Sequence, residues 1–190
     1  MTKTLKLLAG TVVLASAMPG MAQEYGLKNA WGYIFAGYNI SLSSRVNHVV
    51  HQSGYTVGAG YAPGWRPLFG PRDGEASFEL GFARNTGGFS RFDEYHLFYV
   101  DRIPFSSHTD PNRAVSYWGL GLGITELRTK TFTGIFFNPF FQKSHDTAGG
   151  ELLFGEHYPS NLFWEVSLTS ALKTFGYYYT TGRAYIGFRF

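Results

Sequence analysis

The stretch GEHYPSNLFWE brings His157, Ser160 and Glu165 close together in the chain. A base, a hydroxyl and a carboxylate are the parts of an activated nucleophile, the carboxylate orienting the imidazole that takes the serine proton. Their spacing argues against that use. In a strand His157 and Ser160 face opposite sides, and Pro159 between them turns the segment. The remaining histidines are scattered, with His48 and His51 near Ser44 and Ser53, and His145 beside Asp146. No metal site is expected, because the chain has no cysteine, no His-x-x-x-His pair on a helix and no spaced acidic calcium loop. The glycines of GLGLG and GAG are followed by neither lysine nor helix, so they predict no phosphate loop and no cofactor.

A second set of polar groups has a clearer pattern. Glu79, Glu94, His96, Glu151, Glu165, Arg183 and Arg189 all stand opposite apolar stripes that repeat at period two. In ASFELGFAR the stripe is Ala76, Phe78, Leu80 and Phe82; in SYWGLGLGIT it is Trp118, Leu120, Leu122 and Ile124; in NLFWEVSLTSAL it is Leu162, Trp164, Val166, Leu168 and Leu172. Period two means strands. Further strands are predicted at about 29–42, 48–62, 92–103, 146–157 and 181–190, bounded by turn clusters such as APGWRPLFGPRDGE and PFSSHTDPNR. The count is eight, in up-and-down order within one domain. Composition agrees: 18% of residues are aromatic and 24 are glycine, while only 15% are charged.

Residues 1–22, MTKTLKLLAGTVVLASAMPGMA, carry Lys3 and Lys6 ahead of an apolar run and end in a small-x-small site. This is the order of a cleaved secretory signal, which leaves residues 23–190 as the mature domain. Taking Lys3 and Lys6 from the 16 basic residues leaves 14 against 13 acidic ones. The mature chain is nearly neutral and has no basic cluster, so no nucleic-acid partner is expected.

Alternation alone fits a soluble barrel with its apolar face inward or a membrane barrel with that face toward lipid. The polar face decides between them. It carries carboxylates, arginines and many glycines and almost no lysine, which suits the crowded interior of a narrow barrel rather than a solvated surface. Strands of about ten residues also match the thickness of a bilayer. Trp31, Trp118, Trp164, Tyr61 and Tyr95 near strand ends are then expected at the water boundaries as an aromatic girdle.

With its signal segment, WGLGLGIT, LFWEVSLTSAL and terminal AYIGFRF, the chain resembles the small outer-membrane β-barrel proteins of Gram-negative bacteria, the outer membrane protein A-type transmembrane domain and its porin-family relatives. The resemblance implies an all-β, eight-stranded antiparallel up-and-down transmembrane barrel, monomeric and without catalysis. It also implies outer-membrane lipid and lipopolysaccharide as surroundings. Insertion by the barrel assembly machinery is implied too, with Ala184, Ile186, Phe188 and Phe190 as the recognised positions of the last strand. Some barrels of this size modify lipid A, and GEHYPSN is similar to the His-x-Ser-Asn motif of the deacylases, though with one residue more between histidine and serine. A lipid A deacylase or palmitoyltransferase, or a soluble periplasmic lipid-binding barrel, are the alternatives.

The segment TKTFTGIFFNPFFQKSHD stands apart. It is expected to form the third outer loop, yet it carries Phe132, Ile135, Phe136, Phe137, Phe140 and Phe141. Two readings fit: the strands continue beyond the membrane with the rings packed on one another or folded over the barrel mouth, or the rings form a contact surface for lipid, lipopolysaccharide or another protein.

Overall fold

Alternating sequence folds into strands of one continuous sheet. The computed structural model describes residues 32–43, 47, 52–70, 74–87, 90–105, 112–132, 140–174 and 177–190. Among these the strands are β1 (Gly32–Ser41), β2 (Ser53–Tyr61), β3 (Glu75–Gly87), β4 (Ser90–Pro104), β5 (Val115–Phe132), β6 (Phe140–His157), β7 (Leu162–Thr174) and β8 (Tyr177–Arg189). Each pairs antiparallel with the next, and β1 pairs with β8 from Tyr33–Arg189 to Ser41–Thr181. The sheet is a closed barrel.

The strands approach closely where β1 meets β8. Gly37 lies opposite Tyr185, and a Cβ built on it would fall 2.5 Å from the Tyr185 Cα. Only glycine allows this approach. At the end of the barrel that holds Gly32 and Phe190, called here the seam end, the Phe190 and Gly32 main chains exchange both hydrogen bonds, at 2.9 and 3.1 Å. The opposite end, where β1 turns toward β2 and β5 toward β6, is the hairpin end.

The two faces of the sheet separate as the alternation predicts. In β8, Arg183, Tyr185, Gly187 and Arg189 are buried, while Ala184, Ile186, Phe188 and Phe190 are exposed, Ile186 to 70%. Ile34, Val57, Leu122, Ile124, Leu152, Val166 and Leu168 are exposed in the same way on their own strands. Aromatic rings gather toward the two ends of this outer surface. Near the hairpin end Tyr55, Phe82 and Tyr95 lie in a row, Tyr55 edge-on to Phe82 and Phe82 tilted against Tyr95; toward the seam end Phe78 meets Tyr99, and Phe154 lies between Phe105 and Trp164. Of the expected girdle residues, Tyr61, Tyr95, Trp118 and Trp164 are partly exposed.

Of the two readings of the third-loop segment, continuation of the strands is the one seen in its described part. β5 and β6 each extend to 18 residues, and they stay paired from Ile124–Ala148 up to Phe132–Phe140 after β6 has made its last contact with β7 at Gly149–Ala171. Much of the expected third loop is therefore strand, with Phe132 opposite Phe140 and Thr131 opposite Phe141. The reason is local, since threonine and phenylalanine suit a pleated ladder as well above the ring as within it. Ile135, Phe136 and Phe137 lie outside the described residues, as do residues 1–22, Trp31, Ser44, His48 and His51. Tyr179 turns inward and packs on Phe92 at 4.5 Å between ring centroids.

The seam yields a test. Gly37→Val is expected to block closure, and the measurement is the heat-modifiable band on a detergent gel, which should fall at least several-fold after refolding into micelles.

Candidate functional site

The interior is built in three tiers, starting from the seam end. In the first, Arg102 on β4 is fully buried. Its Nε and Nη2 donate to Glu165 Oε1 and Oε2 at 2.6 and 3.2 Å, and Nη2 also donates to Glu79 Oε2 at 3.1 Å. Nη1 donates to Ser77 Oγ at 2.7 Å and to the Tyr33 hydroxyl oxygen at 3.0 Å. One guanidinium thus holds two carboxylates, and the fork on Glu165 is the strong bidentate form. The Tyr117 hydroxyl donates to Glu165 Oε1 at 2.7 Å, and the Tyr185 hydroxyl donates to Oε2. Beside this group Arg189 donates to Glu75 at 2.8 Å and lies over the Phe163 ring.

The middle tier centres on Arg183 of β8. It donates to Glu94 Oε1, stands 3.4 Å from His96 Nε2, and comes within 3.9 Å of Glu151. His96 stacks on Phe98, and Thr169 donates to Glu151 at 3.3 Å. The His96 ring fits because Gly81 faces it from β3 without a side chain. The third tier, toward the hairpin end, is apolar: Phe92, Leu127, Ala171 and Tyr179 close over the ion pairs. Asn39 donates to Asn85 at 2.6 Å alongside them.

Every interior polar residue expected from the sequence is in these tiers. Glu79, Glu94, His96, Glu151, Glu165, Arg183 and Arg189 are all buried. Glu79, Glu151 and Glu165 are the partners that the sequence offers to Arg183 and Arg189, and Arg183 does reach Glu151, at 3.9 Å, beside Glu94. Glu79 and Glu165 belong to Arg102, and Arg189 belongs to Glu75. Sequence reasoning missed Arg102, Glu75 and Tyr33. Arg102 and Glu75 sit at strand ends beside turn clusters, where a charge reads as solvated. The signal that was available is parity: Arg102 stands two, four and six residues from Val100, Phe98 and His96 on the inward face of β4.

The arrangement also separates the three residues that a nucleophile would need. Glu165 is engaged by Arg102, Tyr117 and Tyr185 inside the barrel, while Ser160 is exposed in the turn between β6 and β7. That turn is held by Asn161, whose φ is 63° and whose N–H donates to the Tyr158 carbonyl at 3.0 Å. Among the described residues no hydrogen bond joins His157, Ser160 and Glu165. What the interior can do chemically is bind opposite walls to each other through charge.

The decisive contrast is between the two faces. Buried ion pairs fill the inside of a closed sheet without strand edges, and leucine, isoleucine and valine of β1, β2 and β5–β8 stand exposed on its outside. Hydrocarbon is the solvent that suits such a surface, and edge closure is what a sheet needs to enter it. The chain is a membrane-spanning β-barrel.

No protein-family model matches this barrel, and no curated protein matches it in sequence. Solved structures resemble it in shape. Ail, the attachment invasion locus protein of Yersinia pestis, is 16% identical with a TM-score of 0.47, over 85% of this chain and 99% of that one. The N-terminal β-barrel domain of Pseudomonas aeruginosa OprF is 14% identical with a TM-score of 0.48, over 85% and 98%. Neisserial surface protein A is 15% identical with a TM-score of 0.49, over 84% and 96%.

Arg102 provides the test of the interior. Arg102→Met leaves Glu79 and Glu165 buried without their cation, an effect on the order of 3–5 kcal/mol. Urea unfolding in micelles should show it as a lower midpoint at unchanged slope. Arg102→Lys keeps the charge but not the fork, so it is expected to recover only part of the loss.

Proposed function

We propose that this protein is an integral barrel of the bacterial outer membrane whose work is done by what it holds above the hairpin end, rather than by transport or catalysis. The observation that carries this reading is the filled interior. Three tiers of side chains occupy the width of an eight-stranded barrel, in which interior side chains already have just enough room to fill the lumen. A barrel closed in this way is an anchor. Its taller side is then the useful one, because β5 and β6 lift Phe132, Phe140 and Phe141 beyond the last pair of β6 with β7. With Ile135, Phe136 and Phe137 of the intervening sequence, they make the segment from 132 to 141 rich in apolar groups of the kind that contact lipopolysaccharide or a protein surface. Release from a secretory signal at residues 1–22 and insertion through the terminal pattern Ala184, Ile186, Phe188 and Phe190 belong to the same proposal.

Fractionation tests the location. The protein is expected in the outer-membrane fraction, resistant to carbonate extraction and heat-modifiable on gels; recovery as a soluble periplasmic protein overturns the reading. Replacing Phe136, Phe137 and Phe140 together by serine should leave the heat-modifiable band unchanged and lower binding to lipopolysaccharide or host surfaces several-fold. For catalysis, lipid A mass spectra from cells with and without the protein should be the same. Loss or gain of an acyl chain that disappears in Ser160→Ala would make it an enzyme.

A further inference from the structure

The connection between β2 and β3 does not stay at the rim. Residues 65–70 lie against the outward face of β3 and β4, where Trp65 meets the Phe78 ring edge-on at 5.7 Å. The Leu68 N–H donates to the Tyr99 hydroxyl oxygen at 3.2 Å, and the Phe69 N–H donates to Asp101 Oδ2 at 2.8 Å. Gly70 sits over the Ile103 side chain. Phe69 also borders a shallow apolar hollow with Leu120, Leu122, Leu152 and Leu168 on the barrel's outer surface.

This segment covers a defect in the lipid-facing belt. The outward residues of β4 are Asp93, Tyr95, Leu97, Tyr99, Asp101 and Ile103, so its apolar run from Tyr95 to Tyr99 is about 14 Å long at a rise of ~3.4 Å per residue. A membrane barrel presents an apolar band about 25 Å tall. Asp101 stands where that band should continue, and a carboxylate facing hydrocarbon is costly. It is nevertheless fully buried, beneath the segment that donates to it. The cover's own outer surface is apolar: Trp65 is 59% exposed, Leu68 73% and Phe69 46%.

We propose that residues 65–69 form a lipid-embedded strap that restores the belt over Asp101, with Trp65, Leu68 and Phe69 among the acyl chains of the leaflet at the seam end. Arg66, exposed between them, reaches the headgroup phosphates of the same leaflet as a snorkelling side chain does. The occupant is phospholipid, because the patch is continuous with the lipid-facing hollow through Phe69 and joins it at the level of Tyr99. The proposal rests on the membrane-spanning reading of the barrel.

The chain has no cysteine, so a nitroxide on Leu68→Cys is a unique probe in phosphatidylcholine–phosphatidylglycerol vesicles. Collision with oxygen should exceed collision with a polar nickel chelate, as at Leu122→Cys in the middle of the belt, and the order should reverse at Arg113→Cys in the next seam-end connection. A water-like result at position 68 with a lipid-like result at 122 overturns the strap and leaves the barrel reading intact. A water-like result at both positions overturns both readings. Replacing Trp65, Leu68 and Phe69 by serine should lower vesicle insertion several-fold, and adding Asp101→Leu should restore most of it. Insertion unchanged by the serines, or not restored by the leucine, also counts against the strap.

Discussion

The contact of Arg102 with Glu79 and Glu165 is the one on which the interior depends. In an eight-strand ring β3 and β7 are four strands apart, so Glu79 and Glu165 come from opposite walls, and a single guanidinium from β4 draws both toward itself. Around it Tyr33, Tyr117 and Tyr185 bring in β1, β5 and β8. Six strands therefore share one hydrogen-bonded group, and the barrel's width at that level is set by the reach of an arginine. Charge removed from water in this way is tolerable only while the set is complete.

Completeness has a limit that the composition of the lumen makes plain. Glu75, Glu79, Glu94, Glu151 and Glu165 are buried against Arg102, Arg183 and Arg189. Among the described residues five carboxyl groups face three guanidinium groups, so this part of the interior leans toward acid even when each arginine is fully engaged. Hydroxyls make up part of the difference, with Tyr117 and Tyr185 on Glu165 and Thr169 on Glu151. The interior is consequently held by a mixture of ion pairs and neutral donors, and no one substitution class will describe all of its positions.

How much of this was legible follows from the physics of alternation. Period two assigns a side to every residue once one is known, so Glu79, Glu94, His96, Glu151, Glu165, Arg183 and Arg189 could be placed inside without a structure. Pairing across the lumen could not. It depends on strand stagger and on side-chain reach, so parity puts Arg189 inside without naming Glu75 as its partner. Strand length was legible only where a turn residue ends a strand. The phenylalanine-rich segment after Thr129 has no such stop before Gly134, and it continued the ladder. Two outward charges of β4 need neighbours to be intelligible: Asp93 has the Arg84 guanidinium of β3, and Asp101 has the β2–β3 connection laid over it.

The seam between β1 and β8 has a consequence for time. The partner of β1 along Tyr33 to Ser41 is the most distant strand in the chain, so a sheet of seven strands would carry two raw edges that hydrocarbon cannot satisfy. Such a species has no stable place in a bilayer, however much of its outer surface is already apolar. Insertion and completion must then be a single event, and the chain has to be kept in a watery or chaperoned state until β8 has been delivered.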